Sequence, residues 1–332
     1  MLHALSRFGR RRAFQGGAAA AVVLGLLVWW VFPLGKPEPS GTLTFSTGVR
    51  SGVYERYGQR LEGALAKDMP KVSIRLQTSE GSQQNIERVA TGKADFTIAT
   101  ADAVATYLQS GRPGGERLRG CVRLYDDYVQ LVVPRDSGIR RVADLRGKRV
   151  GVGQKGSGVL LVADRLMAAA GVDPGEDVTP VEAGIDTMPQ RLVDGRLDAF
   201  FWSGGLPTAA LEDLSKKFAV RLVPLEDPLI SRLQAVGGST RHYRSAVMPA
   251  DAYRDAQQGQ AVRTVAVANL LITTDRTDPL MTEAFTRTVI DSRDRIGREV
   301  HAAQLVDLRT AIYTDPLQLH EGARRYYRSA KP

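Results

Sequence analysis

Two loops rich in Gly and Ser, each lying between a short apolar strand and a helix, carry the residues best suited to bind a ligand. The first covers residues 46–54 and the second covers residues 153–158, about a hundred residues further along the chain. A helix start presents free backbone N–H groups and the positive end of the helix dipole, and small residues let an anion approach them. We therefore predict that one small anionic ligand is bound from two sides.

Residue patterns that support catalysis or metal binding are missing from the sequence. Asp126 and Asp127 are adjacent and lack the opposed geometry of an acid–base pair. The single cysteine, Cys121, has no histidine in a recognisable relation to it, and His242 and His301 have no carboxylate or thiol at metal-ligand spacing. Metalloprotease, Walker A and nucleophile-elbow motifs do not occur. We predict a binding protein that is not an enzyme and has neither a cofactor nor a metal ion.

The distribution of charge excludes a nucleic-acid-binding surface and points to the membrane. Of the formal net charge of +9, five positive charges lie in the first 36 residues, so the remaining chain carries 9 − 5 = +4 among many acids. A nucleic-acid footprint requires a clustered basic face. This chain has its dense positive cluster only at the N-terminus, and we predict no nucleic-acid partner.

The N-terminal segment, residues 1–36, is predicted to be a membrane anchor. Its basic cluster precedes an apolar stretch at residues 16–34, which is about long enough to span a bilayer as a helix. The positive flank places the N-terminus in the cytoplasm and residues 37 onward outside. A cleaved secretory signal stays open as an alternative, although residues 31–36 offer no small-residue cleavage site. Arg11 and Arg12 also fit a twin-arginine export signal.

Beyond a Pro/Gly linker at residues 37–41, strands alternate with helices, which predicts an α/β fold with mostly parallel sheets. Ligands of such sheets bind at the carboxyl ends of the strands. Two β-rich runs, at 130–133 and 265–272, bracket the middle third and are predicted to cross between two lobes. Lobe one then comprises residues 42–134 plus 264–332 and lobe two comprises 135–263. Residues 279–330 are predicted to be helical.

Six motifs follow one another in an order that matches a known family. They are T-G-V-R-S-G-V-Y at 47–54, T-S-E-G-S-Q-Q-N at 78–85, G-K-A-D at 92–95 with Thr100 and Asp102, D-L-R-G at 144–147 with G-S-G at 156–158, D-G-R-L-D at 194–198 with W-S-G-G-L-P at 202–207, and T-V-A-V at 264–267. From residue 42 to the C-terminus the chain resembles the TAXI-type solute-binding subunits of TRAP transporters. The resemblance implies a two-lobed, type II periplasmic-binding-protein-like fold with an interlobe ligand cleft, a membrane permease as partner, and an extracytoplasmic location.

Loops and motifs together define the predicted ligand-binding residues. Arg50 would bind a carboxylate with two hydrogen bonds, or it is a solvated surface residue. Ser82 and Asn85 could cap or stabilise a helix as well as contact the ligand. Asp102 fits a helix-stabilising role, and would favour an amino group on the ligand if it faced the cleft. The full set is Ser46, Thr47, Gly48, Arg50, Ser51, Gly52, Tyr54, Thr78, Gly81, Ser82, Asn85, Thr100, Asp102, Gly156, Ser157, Gly158, Ser203, Gly204 and Gly205.

These observations predict an extracytoplasmic receptor that captures a small organic anion, such as an acidic amino acid or a dicarboxylate, and delivers it to a TRAP-type permease. Two alternatives stay open. One is a tethered ligand-sensing domain. The other is an NAD-linked oxidoreductase that uses the G-x-G-x-x-G pattern at 151–156, although the preceding strand is short and no acid is clearly placed about 20 residues on.

Overall fold

The computed structural model describes residues 38–330, and within them ten strands form one mixed sheet. The strand order is β2-β1-β3-β10-β4-β7-β5-β6, with β8 paired to β4 and β9 paired to β10. The strands are β1 (Gly41–Ser46), β2 (Val72–Gln77), β3 (Phe96–Thr100), β4 (Leu118–Pro134), β5 (Arg149–Gly151), β6 (Thr179–Val181), β7 (Ala199–Gly204), β8 (Val220–Val223), β9 (Tyr243–Met248) and β10 (Val262–Thr274).

The expectation of mostly parallel sheets is wrong for the middle of this sheet. β1 pairs in parallel with β2 and β3, and β5 does so with β6 and β7, as βαβ units require. Every pairing of β4 and β10, by contrast, is antiparallel. The reason is that these two strands run between the lobes in opposite directions. Each of them therefore runs antiparallel to the strands beside it.

β4 and β10 cross from one hydrophobic core to another, and they include the two β-rich runs of the sequence analysis. On β4, Val122 and Leu124 pack into one core, whereas Leu131 and Val133 pack into another. β10 likewise contributes Val265 to the second core and continues into the first with its later residues. We call the two parts the first lobe and the second lobe according to these cores. The residue at which each strand changes lobes stays a prediction.

Eleven α-helices within the described residues cover the sheet. The helices are α1 (Val53–Asp68), α2 (Ser82–Ala90), α3 (Ala101–Gln109), α4 (Gly158–Ala169), α5 (Met188–Val193), α6 (Ala209–Lys217), α7 (Asp227–Ala235), α8 (Arg254–Gln257), α9 (Pro279–Asp291), α10 (Arg293–Gly297) and α11 (Glu321–Ala330).

The prediction that residues 279–330 are helical throughout is wrong between α10 and α11. After a short 3₁₀ turn at His301–Leu305, residues 306–320 form turns, and Leu319 bridges to Gly120 on β4. Asp307, Thr310 and Pro316 explain the difference, because such residues favour turns over continued helix. Gly120 permits the contact, since a Cβ there would lie 2.4 Å from Cβ of Thr314.

The predicted membrane anchor, residues 1–36, lies outside the described residues. Among residues 38–330, no helix combines the length and apolar character that crossing a bilayer requires.

Two glycines of α1 are expected to respond oppositely to substitution by alanine. Gly63 is exposed with nothing within 4 Å of an added Cβ, so Gly63→Ala should raise the free energy of unfolding by about 0.5–1 kcal/mol. At Gly58, a Cβ would lie 2.6 Å from Cγ2 of Thr47, whose side chain is fully buried. Overpacking of this kind costs about 1–3 kcal/mol, so Gly58→Ala should be net destabilising. Urea unfolding of both variants checks this, and equal effects would contradict the packing described.

Candidate functional site

A cavity lies between the two lobes, at the carboxyl ends of β1, β3, β5, β6 and β7. It encloses about 60 Å³. One water needs roughly 10–15 Å³ on this measure, so the cavity leaves room for a small solute. Ten of the predicted binding residues line it, from both Gly/Ser loops and from the end of β7. They are Gly48, Gly52, Tyr54, Gly81, Ser82, Thr100, Ser157, Gly158, Ser203 and Gly204.

Four helices begin at the wall of this cavity. The residues just before α1, α2, α3 and α4 are Gly52, Gly81, Thr100 and Ser157, and all four line the cavity. The first-turn N–H groups of a helix have no acceptor within it, and the dipole adds positive potential there. Three of these helix starts belong to the first lobe and one to the second, so an anion in the cavity is attracted from both lobes.

The second glycine-rich loop, residues 153–158, contacts the start of α2 across the cleft. A Cβ on Gly81 would lie 3.3 Å from Cα of Ser157, and one on Gly158 would lie 3.1 Å from Oγ of Ser82. The side-chain amide of Gln83 donates to the Ser157 carbonyl at 2.7 Å. Larger residues at the two glycines would hold the lobes apart, and the arrangement is therefore that of a closed cleft.

A buried polar chain forms the back wall of the cavity. The Asn269 amide nitrogen, from β10, donates to Asp127 Oδ1 on β4 at 2.7 Å. The Tyr54 hydroxyl donates to Asn269 Oδ1 at 2.5 Å and also lies 3.1 Å from the Ser82 hydroxyl. Burial raises the pKa of Tyr54 well above its ordinary value, so the phenol stays protonated. Each of these side chains is held in place by a hydrogen bond to the next one.

Two hydroxyls of the cavity wall are buried without a hydrogen-bond partner among the described residues. Thr100 Oγ1 belongs to a residue that is 3% exposed, and Ser203 Oγ to one that is 9% exposed. Buried polar groups are nearly always hydrogen-bonded in native proteins. These two hydroxyls are therefore available to a solute in the cavity, one from each lobe.

Asp127 is the buried charge of the cavity. Only Glu80, which is exposed at the rim, accompanies it as a charged lining residue, and the lining contains no Lys, Arg or His. Burial raises the pKa of Asp127 to about 7, the nearby carboxylate of Asp102 adds to the rise, and the hydrogen bond from Asn269 opposes it. The sequence analysis passed over this residue because two adjacent acids are typical of an exposed loop.

The other lining residues that the sequence analysis missed are mainly small or apolar. Trp202 packs in the core and also lines the cavity, and its indole N–H donates to Thr208 Oγ1 at 3.0 Å. No chemical signal marks such residues in a sequence, because packing alone places them. The missed lining residues are Val49, Val53, Glu80, Asp127, Gly153, Gln154, Val159, Ala183, Gly184 and Trp202.

Four predicted residues of the first lobe lie behind the cavity wall and support it. Ser46 donates to Asn85 Oδ1 at 2.7 Å, and the Asn85 amide nitrogen donates to the carbonyls of Thr47 and Ile98. Thr47 donates to a Glu55 carboxylate oxygen and to a backbone carbonyl. Thr78 is exposed, and its carbonyl accepts from a neighbouring arginine. These contacts shape the loops from behind instead of facing the cavity.

The remaining predicted residues also lie outside the cavity lining. Arg50 is exposed, which agrees with the alternative of a solvated side chain. Ser51 donates to the carboxylate of Asp186 in the opposite lobe. Gly156 accepts at its carbonyl from the Gln84 N–H at 3.1 Å. Gly205 leaves room for Ala302, whose Cβ would lie 2.6 Å from an added Cβ.

Asp102, which is 1% exposed, joins the lobes instead of facing the cavity. Its Oδ2 accepts from Arg165 on α4 at 3.1 Å and from the Tyr243 hydroxyl on β9 at 2.5 Å. Arg165 also donates to the Tyr243 oxygen at 2.9 Å. A carboxylate of the first lobe is thus held by an arginine and a tyrosine of the second lobe.

The raised pKa of Asp127 predicts the direction in which the free energy of unfolding changes with pH. A carboxyl group with a pKa of about 7 in the folded protein and about 3.9 when unfolded stabilises the fold fully below pH 4, and that contribution disappears as the pH rises to about 7. Relative to Asp127→Asn, the wild type should therefore lose stability between pH 4.5 and 7.5, by at most about 1.4 kcal/mol per pH unit. Denaturant unfolding of both proteins at several pH values measures this. A constant difference would show that Asp127 does not titrate in this range.

Solved structures with this fold share little sequence identity with this chain. A putative L-cystine ABC transporter protein from Listeria monocytogenes is 13% identical, with 80% of this chain and 98% of that chain covered and a TM-score of 0.50. An ancestral arginine-binding protein bound to arginine is 17% identical, with 78% and 97% covered and a TM-score of 0.50. XAC2383 from Xanthomonas citri bound to ATP is 13% identical, with 87% and 95% covered and a TM-score of 0.51.

Such identities establish the fold alone, which is the two-lobed α/β fold of periplasmic binding proteins that the sequence predicted. The family assignment comes from the sequence itself. The profile of the NMT1-like family matches residues 45–330, which include both lobes and every residue that lines the cavity. The chain belongs to the NMT1-like family.

Proposed function

We propose that this protein is an extracytoplasmic solute-binding receptor of the TAXI type, which captures a small organic solute carrying an anionic group and delivers it to a TRAP-type membrane permease. The observation that carries the proposal is the small closed cavity into which four helix N-termini from both lobes converge. Such helix starts bind an anionic group without any basic side chain. The unpartnered hydroxyls of Thr100 and Ser203 supply hydrogen bonds to the same solute.

The proposal extends beyond the cavity in three respects. The permease partner and the TAXI type are supported by the six ordered motifs, whereas the solved relatives are an ABC transporter protein, an arginine-binding protein and a protein bound to ATP. Residues 1–36 either anchor the receptor in the membrane or direct its export before cleavage. The lobes comprise residues 42–134 plus 264–332 and residues 135–263, and the crossing strands β4 and β10 contribute side chains to the cores of both.

The dinucleotide alternative has less support. Gly153, within the G-x-G-x-x-G pattern, lines the cavity together with Ser157, and the same loop contacts α2 of the other lobe. A cavity of about 60 Å³ suits a solute much smaller than a dinucleotide. The pattern is explained by close approach of the two lobes and by an anion at the start of α4.

We expect the two free hydroxyls to contribute to affinity and the exposed arginine not to. A thermal-shift screen of the full-length protein in detergent, against organic acids and amino acids, first identifies a solute. Thr100→Val and Ser203→Ala should then weaken its binding by about ten- to a hundredfold, because each removes a hydrogen bond to a charged group. Both variants should keep the melting temperature of the empty protein, since each hydroxyl is unpartnered there.

Isothermal calorimetry on these variants decides the matter, with Arg50→Ala as the control whose affinity should be unchanged. If no solute in the screen shifts the melting temperature, the receptor function is wrong. If one does, uptake by vesicles that contain a candidate TRAP permease should require the receptor, and uptake without it would contradict the transport role.

Closure of the lobes is expected to depend on the hydroxyl of Tyr243. Tyr243→Phe removes one hydrogen bond to Asp102 across the lobes, while the ion pair with Arg165 is kept. The closed state loses a charge-assisted hydrogen bond, so solute affinity should fall by up to about ten- to a hundredfold although Tyr243 does not touch the cavity. Small-angle scattering should report a larger radius of gyration at equal solute concentration.

Tyr253→Phe is the matched control for closure. Tyr253 is equally buried, and its hydroxyl accepts from the Thr208 N–H and donates to Gln130, whose neighbours Val129 and Leu131 on β4 pack in the second core. This variant should lose stability but keep solute affinity. Equal losses of affinity in the two variants would show that Tyr243 has no special part in closure.

A further inference from the structure

We infer that Asp127 recognises an ammonium group on the solute, so that the receptor binds a small zwitterion of the amino acid type and not a dicarboxylate. This inference rests on the proposed function, because it concerns the solute of the same cavity. It goes further, since the helix starts alone would accept any small anion.

Asp127 has one carboxylate oxygen without a partner. The side chain is 4% exposed and belongs to a residue that lines the cavity. Its Oδ1 accepts from the Asn269 amide at 2.7 Å, and no hydrogen bond from residues 38–330 reaches Oδ2. An isolated ionised carboxylate removed from water is strongly unfavourable unless it is paired. Oδ2 of Asp127 is thus left to pair with a group of the solute in the cavity.

The hydroxyls of Tyr54 and Ser82 cannot supply the missing partner. Because the Asn269 amide nitrogen is directed at Asp127, its carbonyl oxygen is the acceptor for the Tyr54 proton. Tyr54 then accepts from Ser82, so both protons are committed within the chain. The Ser82 oxygen in turn accepts from the Thr100 N–H at 3.2 Å. The back wall therefore orients Asp127 without neutralising it.

Asp126, the residue before Asp127 on β4, is a carboxylate with a structural role and serves as a comparison. Asp126, on the other face of β4, pairs with Arg123 at 2.7 Å and with Arg244. Asp127 has no such cation, and the cavity lining contains none. Arg165 is occupied by Asp102, Tyr243 and two further hydroxyls. The chain therefore neutralises the structural carboxylate and leaves Asp127 in the cavity for a solute.

The two halves of the cavity select opposite charges. Helix starts at Gly81 and Ser157 favour a carboxylate, whereas Asp127 favours a cation and repels a second anionic group. The Asp102 carboxylate adds to that repulsion. A solute with one carboxylate and one ammonium group satisfies both, and a dicarboxylate places like charges together.

Matched pairs of solutes test the inference on the full-length protein. Each L-amino acid is compared with the acid of the same carbon skeleton that lacks the amino group, such as aspartate with succinate and glutamate with glutarate. The amino acid of the pair that binds should bind about ten- to a hundredfold more tightly, because a hydrogen-bonded charge pair is lost in its partner. In Asp127→Asn this preference should disappear, while the accepted hydrogen bond from Asn269 is retained.

Asp126→Asn is the matched control, since it also removes one carboxylate from β4, and it should keep the preference for the amino acid. If the deaminated acids bind as tightly as the amino acids, or if Asp127→Asn keeps the preference, the inference is overturned while the receptor function stands. If neither class binds, both fall together. Retained cooperative unfolding of Asp127→Asn excludes misfolding as the reason for lost affinity.

Discussion

The antiparallel ladder between β4 and β10 is the constraint on which the rest of the structure depends. These two strands are the framework that both hydrophobic cores share, and each contributes residues to both. Their register slips between Ala268 and Leu270, so that Asn269 opposes two residues of β4. Bulges of this kind redirect side chains and increase the local twist. Here the single residue opposite the bulge, Asn269, is the one that holds Asp127.

The cavity follows from this framework and from small residues placed around it. The strands of each lobe end at the crossing, and the helices that follow them begin there, which brings backbone N–H groups together from both lobes. Close approach needs residues without large side chains, as Gly81 and Gly158 illustrate. The electrostatic potential inside the cavity then comes from backbone dipoles and one carboxylate instead of from surface charges.

The sequence predicted the periplasmic-binding-protein-like fold and about half of the cavity, for identifiable physical reasons. The two glycine-rich loops could be recognised from the sequence, because Gly and Ser at a helix start have few other uses. Both loops line the cavity. Asp127 was missed because an acidic pair within a long strand is readable only when the strand's register is known. Arg50 was overestimated, because a charged residue in a binding loop does not reveal which way it points.

The absence of basic residues from the cavity lining has a consequence for how a solute arrives. Long-range attraction decays within about 8 Å at physiological salt, and backbone dipoles act over an even shorter distance. A solute therefore meets this protein by ordinary diffusion and is discriminated only after it has entered the cleft. Selectivity therefore depends on short-range contacts with backbone dipoles, hydroxyls and one carboxylate, and high salt should weaken it little.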